Sequence, residues 1–146
     1  MPAAHDDTLE REHQLFLTGI RLFNEHEYFE AHEAWEDAWH MVTGLKHSFY
    51  QGMIQCAVAL EHYKRGNPRG VVSLSKSYPP KFRDVPPVYM GVDVRQFLAE
   101  MGEVLKPVTT ADPLPERGTI MLDLSRVPKI ELQYDPFETG EAMERR

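Results

Sequence analysis

Two polar side chains, His32 and Glu36, stand four residues apart in a segment rich in alanine and aromatic residues. If this segment is a helix, His32 lies about 40° and Glu36 about 80° around the axis from Tyr28, between Trp39 and Phe29. A histidine and a carboxylate within or beside a buried helical face can hold a metal ion, transfer protons or form a structural hydrogen-bond network.

A second set of polar residues follows in the next apolar segment. Gln51, Gln55 and His62 are separated by four and seven residues, so a helix places them in one polar stripe on an otherwise apolar cylinder. A buried polar group without a partner costs about 1–3 kcal/mol. We therefore expect His32 and Glu36 to face this stripe, which would form an internal polar cluster.

Three interpretations of this cluster remain open on the sequence alone. It can be a structural hydrogen-bond network that fixes the helix register. It can be a site for a divalent metal, with His32, Glu36 and His62 as candidate ligands and Gln55 nearby. It can be a pocket for a small organic ligand. In a metal-dependent hydrolase, Glu36 or Glu33 would be the candidate catalytic base.

The end of the same apolar segment carries a further candidate for ligand binding, Arg65-Gly66-Asn67. Arg65 could bind a carboxylate or phosphate near His62, although a helix-ending Gly-Asn turn explains the segment without a ligand. The other basic residues of this region are typical of a solvated face. They are Lys64, Arg69, Lys76, Lys81 and Arg83. Neither a glycine-rich phosphate loop nor a serine nucleophile elbow is present.

The elements that must position these residues are helical. Apolar periodicity and the placement of Gly and Pro predict helices over about residues 7–23, 28–42, 48–64, 68–77 and 94–106. The sequence therefore predicts a single-domain, all-α bundle over residues 1–106. Residues 107–146 contain several prolines and predict an extended arm, with strand-like character at 120–124 and 130–134. We expect the arm to be mobile from about Glu138.

Composition limits the function classes. The 146 residues have a net charge of −7, and the first 42 residues carry ten Asp and Glu against two Arg, so general nucleic-acid binding is not expected. No apolar stretch is long enough for a membrane span, and the first residues lack the features of a signal peptide, which predicts a cytoplasmic protein. The single cysteine, Cys56, excludes an internal disulfide. A homodimer through the arm or an exposed aromatic patch is compatible with the sequence.

Several blocks of the sequence resemble the DUF309 family. They are Leu22-Phe23-Asn24, Tyr28-Phe29-Glu30-Ala31-His32-Glu33-Ala34-Trp35-Glu36 with Trp39, Gln51-Gly52-Met53-Ile54-Gln55, Ala57-Val58-Ala59-Leu60, and His62 with Arg65-Gly66-Asn67 and Gly70. The resemblance covers about residues 12–106. It implies a small all-helical protein whose biochemical role is unassigned, and it draws attention to His32, Glu33, Glu36, Gln55, Arg65 and Asn67, which match the motif blocks.

Together these features predict a small binding protein with an internal polar site formed by His32, Glu36, Gln55 and His62, which takes a small ligand or a divalent metal. The first alternative is a metal-dependent hydrolase that uses the same residues. The second is a protein-interaction scaffold in which the polar cluster has only a structural role.

Overall fold

The protein is a bundle of helices followed by an extended arm. The computed structural model describes the backbone of residues 3–144 and the side chains of residues 7–144. The helices are α1 (Ala3–Asn24), α2 (Tyr28–Trp39), α3 (Gly44–Lys64), α4 (Pro68–Ser77), α5 (Val94–Thr109) and the short α6 (Pro136–Thr139). None of the described helices is long and apolar enough to cross a membrane. The five-helix, all-α prediction is confirmed.

The helix α3 lies at the centre of the bundle. It packs against α2 and α4, while α2 also packs against α1, and α4 against α5. Ten residues of α3 are buried, on most of its circumference, because a helix covered on several sides is apolar nearly all round. The largest buried side chains of the core are Trp35, Tyr28, Tyr50, Phe16, Phe23 and Phe49.

Capping residues explain where the later helices begin. The side chain of Asn67 accepts a hydrogen bond from the backbone N–H of Gly70, and Pro68 occupies the first turn of α4. At the start of α5, the carboxylate of Asp93 accepts from the backbone N–H of Gln96 at 3.0 Å. These caps satisfy N–H groups that have no partner inside the helix.

A two-stranded antiparallel hairpin, which the sequence did not predict, precedes α5. Its strands are β1 (Val88–Tyr89) and β2 (Val92–Asp93). Met90 and Gly91 form the turn with φ angles of 53° and 77°, the left-handed conformations that two-residue hairpins require. The neighbouring pair Pro86-Pro87 had indicated a loop, and strands of two residues are too short to leave an alternating pattern.

The arm differs from the prediction in its local structure. Residues 120–124 and 130–134 form no strand in the described part of the chain, and a 3₁₀ turn covers Leu124–Arg126. Ile130 is instead buried in the core of the protein, and Ile120, Leu122 and Leu132 are partly buried against that core. An extended segment can bury apolar side chains against helices without pairing to another strand. The apolar residues that predicted strands therefore indicate burial against the bundle.

Helix α5 also continues beyond the predicted end, to Thr109, with Pro107 inside its last turn. Proline removes one helical hydrogen bond, here to the carbonyl of Glu103. Both residues lie on the exposed side of the helix, where water can replace that bond. A proline three residues from the end of a helix therefore costs less than one in the middle.

Candidate functional site

The turn between α3 and α4 gathers three of the residues that the sequence singled out: His62, Arg65 and Asn67. Helix α3 ends with Arg65 as its C-cap, and Gly66 has a φ angle of 72°, which glycine adopts without steric cost. The backbone N–H of Gly118, from the arm, donates to the carbonyl of Gly66 at 2.8 Å. The turn therefore reverses the chain and holds the arm at the same point.

His62 is held in one tautomer by this turn. The Asn67 amide oxygen caps α4, so its nitrogen faces His62 and lies 3.0 Å from Nδ1. Nδ1 therefore accepts, and the neutral ring carries its proton on Nε2. A Cβ atom at Gly70 would overlap the imidazole ring, which explains why a glycine stands there. Burial, and then the charges of Arg65 and Arg117, lower the pKa of His62, although Glu61 opposes them.

Arg65 connects this turn to α2. Its guanidinium forms an ion pair with Glu61, one helical turn earlier, and lies 5.5 Å from the centre of the Phe29 ring. An arginine over an aromatic face is a favourable cation–π arrangement. This contact lies on the surface, because Phe29 remains 42% exposed.

His32 and Glu36 follow Phe29 on α2. His32 Nδ1 is 2.7 Å from the carbonyl oxygen of Phe29, and its ring packs edge-on against Phe29 at 5.1 Å. His32 Nε2 is 4.0 Å from the Glu36 carboxylate, whose side chain is 49% exposed. Glu33 is also exposed.

The expectation that Glu36 belongs to a buried cluster is therefore wrong. The buried residues of α2 are Tyr28, Ala31, Ala34, Trp35 and Ala38. They cover one arc of the helix surface, and one edge of this arc lies near His32. The exposure of Phe29 explains the error, because the predicted apolar face had included Phe29 and so had placed Glu36 inside its edge.

Gln55 contributes to a separate contact. Its side-chain oxygen accepts a hydrogen bond from the hydroxyl of Ser77 at 2.8 Å, which links α3 to the end of α4. No hydrogen bond among the described residues joins His32 or Glu36 to Gln55 or His62. The predicted site residues thus divide into the α3–α4 turn, a surface pair on α2 and one helix–helix contact.

A groove with basic walls lies beside the α3–α4 turn. One cavity of about 530 Å³ and an adjoining one of the same volume share Arg69 and Leu114. We call them together the α4 groove; its lining is Asn67, Pro68, Arg69, Val72, Ser73, Lys76, Ser77, Leu114, Pro115, Glu116 and Arg117. Within the described residues, none of Arg69, Lys76 and Arg117 forms an ion pair.

The α4 groove as a whole was not predicted from the sequence. Arg69 and Lys76 had been interpreted as part of a solvated face, and both are indeed exposed. Arg117 lies 48 positions after Arg69 in the arm, and only the docking of Gly118 on Gly66 brings it close. Nothing in the local spacing of residues indicates such a contact.

The candidate metal ligands do not converge in the structure. In the part of the chain whose side chains are described, no group of three or more His, Cys, Asp or Glu residues is placed to hold a metal ion. The nearest approach is the pair of His32 and Glu36, whose atoms are 4.0 Å apart on the surface.

The fold and the turn define a small helical domain, and part of this domain is similar to a known family. Residues 16–74 match the family described as "Domain of unknown function (DUF309)". The match runs from the middle of α1 to α4 and includes the whole α3–α4 turn, while β1, β2, α5 and the arm lie outside it.

A similar protein occurs in Aquifex aeolicus (strain VF5), where it is described as "Uncharacterized protein". The two sequences are 26% identical over 106 residues, which is 72% of this chain and 32% of the relative. The chain therefore matches about a third of the length of this relative.

Proposed function

We propose that this protein binds a small anionic ligand, carrying a phosphate or carboxylate group, in the α4 groove. The observation that supports it best is the presence of Arg69 and Arg117 on the same cavity without an acidic partner among the described residues. Guanidinium groups form paired hydrogen bonds to carboxylates and phosphates. A bound anion would supply the negative charge with which Arg69 and Arg117 can pair.

The charges around the groove favour an anion. Lys76 adds a third cation along α4, and Glu116 is the one acidic residue in the described lining. Burial is the largest cause of the lowered pKa of His62, and the charges of Arg65 and Arg117 add to it by disfavouring protonation. The positive potential at the turn therefore disfavours the cationic form of His62, and the same potential would favour a bound anion.

Calorimetric titration with pyrophosphate and with citrate tests this function. We expect binding that weakens as salt concentration rises, because exposed charges are screened. The variant Arg69→Gln/Arg117→Gln should lose at least about tenfold in affinity, which corresponds to about 1.4 kcal/mol. Arg11→Gln is the matched control, since Arg11 is an exposed arginine on α1 and is not part of the described lining of the α4 groove.

The result would contradict the proposal if neither anion bound, or if the control variant lost as much affinity as the double variant. Comparing the two ligands also separates phosphate from carboxylate recognition. Metal analysis of the same preparation tests the hydrolase alternative: stoichiometric zinc, iron or manganese that is lost in His32→Ala would place the functional centre on α2 instead.

We also propose that the arm mediates homodimer formation. The supporting feature is its exposed apolar surface, where Met121 is 88% exposed and Leu124 is partly exposed. Light scattering after size exclusion should give twice the chain mass of 16.9 kDa. Met121→Ser/Leu124→Ser should shift the protein to the monomer, and a monomeric wild type at high concentration would refute the dimer.

A further inference from the structure

A buried ion pair lies away from the α4 groove, between α1 and the start of α3. Glu12 is a buried acid, only 3% exposed. One carboxylate oxygen accepts from Lys46 Nζ at 2.9 Å, and the other accepts from the Tyr50 hydroxyl at 2.7 Å. Burial and the neighbouring Glu12 raise the pKa of Tyr50, so the phenol stays protonated as a donor.

Both charged groups keep unused hydrogen-bonding capacity. An ammonium group has three N–H donors, and Lys46 directs two of them, to Glu12 and to the carbonyl oxygen of Ala142. Each carboxylate oxygen has two lone pairs, and each oxygen of Glu12 accepts one hydrogen bond from these partners. Lys46 therefore has a donor left for one further anionic group, and Glu12 has acceptor capacity left for one further cationic group.

A cavity of about 570 Å³ opens onto this pair, and we call it the Lys46 cavity. Besides Glu12 and Lys46, its lining is Thr8, Leu9, Met41, Val42, Thr43, Gly44, Ala142, Met143 and Glu144. One part of this lining is apolar, through Leu9, Met41, Val42 and Met143. A cavity with a charged pair on one side and apolar side chains on the other suits a small amphipathic ligand.

The position of Lys46 favours a carboxylate beside it. Lys46 is in the first turn of α3, where the helix dipole is positive and a cation is unfavourable. Glu12 offsets this charge but also interacts with Tyr50. A ligand with separated charges can pair its carboxylate with Lys46 and its cationic group with Glu12, whereas an anion or a cation alone would pair with only one of them.

We propose that the Lys46 cavity binds a free α-amino acid with an apolar side chain. Its carboxylate accepts from Lys46, its ammonium donates to Glu12, and its side chain packs against Leu9, Val42 and Met143. This site is separate from the α4 groove, since the described residues that line the two share no member.

Amide chemical-shift titration of the full chain with L-leucine tests the proposal. We expect saturable shifts at Thr43, Gly44 and Lys46, with a dissociation constant of about 1 mM or tighter. Two analogues test the charges separately: isocaproate lacks the ammonium group, and isoamylamine lacks the carboxylate. Each should bind at least about tenfold more weakly than leucine.

Three results would overturn the proposal. They are the absence of shifts with leucine, shifts confined to other residues, and equal binding of either analogue. Equal binding of isocaproate would assign the cavity to simple carboxylates instead, and equal binding of isoamylamine would assign it to amines.

Variants complete the test. Lys46→Met should abolish leucine binding, but it also leaves Glu12 without its cation and can unfold the protein. Val42→Phe fills the cavity without touching the ion pair, so it should abolish binding in a protein that stays folded. Lys106→Met, at an exposed position on α5, should bind leucine as the wild type does. Unchanged leucine binding by Val42→Phe would contradict the proposed site, whatever Lys46→Met does.

Discussion

Asn24, the last residue of α1, holds the arm through both ends of its side-chain amide. The amide nitrogen donates to the carbonyl oxygen of Ile130 at 2.9 Å, and the amide oxygen accepts from the N–H of the same residue at 2.8 Å. A single side chain thereby replaces the two hydrogen bonds that a neighbouring strand would have provided to Ile130. This explains why an extended segment can bury Ile130 without belonging to a sheet.

Replacing Asn24 by Ala should loosen the arm. The substitution leaves the N–H and carbonyl of Ile130 without partners, which costs about 1–3 kcal/mol in the free energy of unfolding. Hydrogen–deuterium exchange should rise around Ile130 more than in α3. Asn24→Asp keeps the acceptor and should lose less than Asn24→Ala, while Gln14→Ala, on the exposed face of α1, should change little. Equal exchange in Asn24→Ala and the wild type would show that the apolar contacts alone hold the arm.

Gly19 and Gly102 should respond oppositely to the same substitution. A Cβ atom at position 19 would overlap the indole of Trp35, whose Nε1 donates to the carbonyl of Phe16 at 3.2 Å. Displacing that ring should cost about 1–3 kcal/mol. No atom lies within 4 Å of a Cβ atom at position 102 in α5, so alanine there should stabilise by about 0.5–1 kcal/mol. Urea denaturation measures the change in the free energy of unfolding for each variant. If both variants changed it in the same direction, the packing argument would be refuted.

The sequence predicts the helices well because their signals are local. Helix α4 has the predicted ends, Pro68 and Ser77, because Asn67 caps it and Pro79-Pro80 follows it. Helix α1 and helix α3 start earlier than predicted, at Ala3 and Gly44. The first turn of α3 contains Gly44, Lys46 and His47, which do not continue the apolar face, so apolar periodicity does not detect this turn.

The candidate site was less predictable because it depends on contacts between distant segments. The sequence singled out His62, Arg65 and Asn67, and the structure places all three at the α3–α4 turn; their role in binding stays a prediction. The sequence placed Glu36 inside the bundle because helical periodicity does not tell where the neighbouring helices end. It also missed Arg117 and the partnership of Glu12 with Lys46, because no sequence spacing encodes which side chains of α1, α3 and the arm meet.

The ion pair of Glu12 and Lys46 should behave as a coupled unit. Lys46→Met removes the cation from a carboxylate that is almost completely buried, which should destabilise the protein by about 3–5 kcal/mol. Glu12→Gln/Lys46→Met leaves no charge uncompensated and should lose less than the sum of the two single substitutions. A double-mutant cycle by urea denaturation should give a coupling above about 1 kcal/mol; additive losses would mean that the two charges act independently.

His62 should make the stability of the protein depend on pH. Because its pKa is lowered in the folded state, the unfolded chain takes up the imidazole proton first as the pH falls. Its contribution to the free energy of unfolding is complete above about pH 6.5, the ordinary imidazole value, and is lost as the pH falls from there through the lowered pKa.

The stability difference between wild type and His62→Gln isolates this contribution, because glutamine does not titrate and the other groups are common to both proteins. We expect the wild type to lose more stability than His62→Gln between about pH 7.5 and about pH 5. An NMR titration of the His62 ring should give a pKa below the ordinary value, and Arg117→Gln should raise it. A wild type and a variant with parallel pH profiles would show that His62 titrates as it does in the unfolded chain.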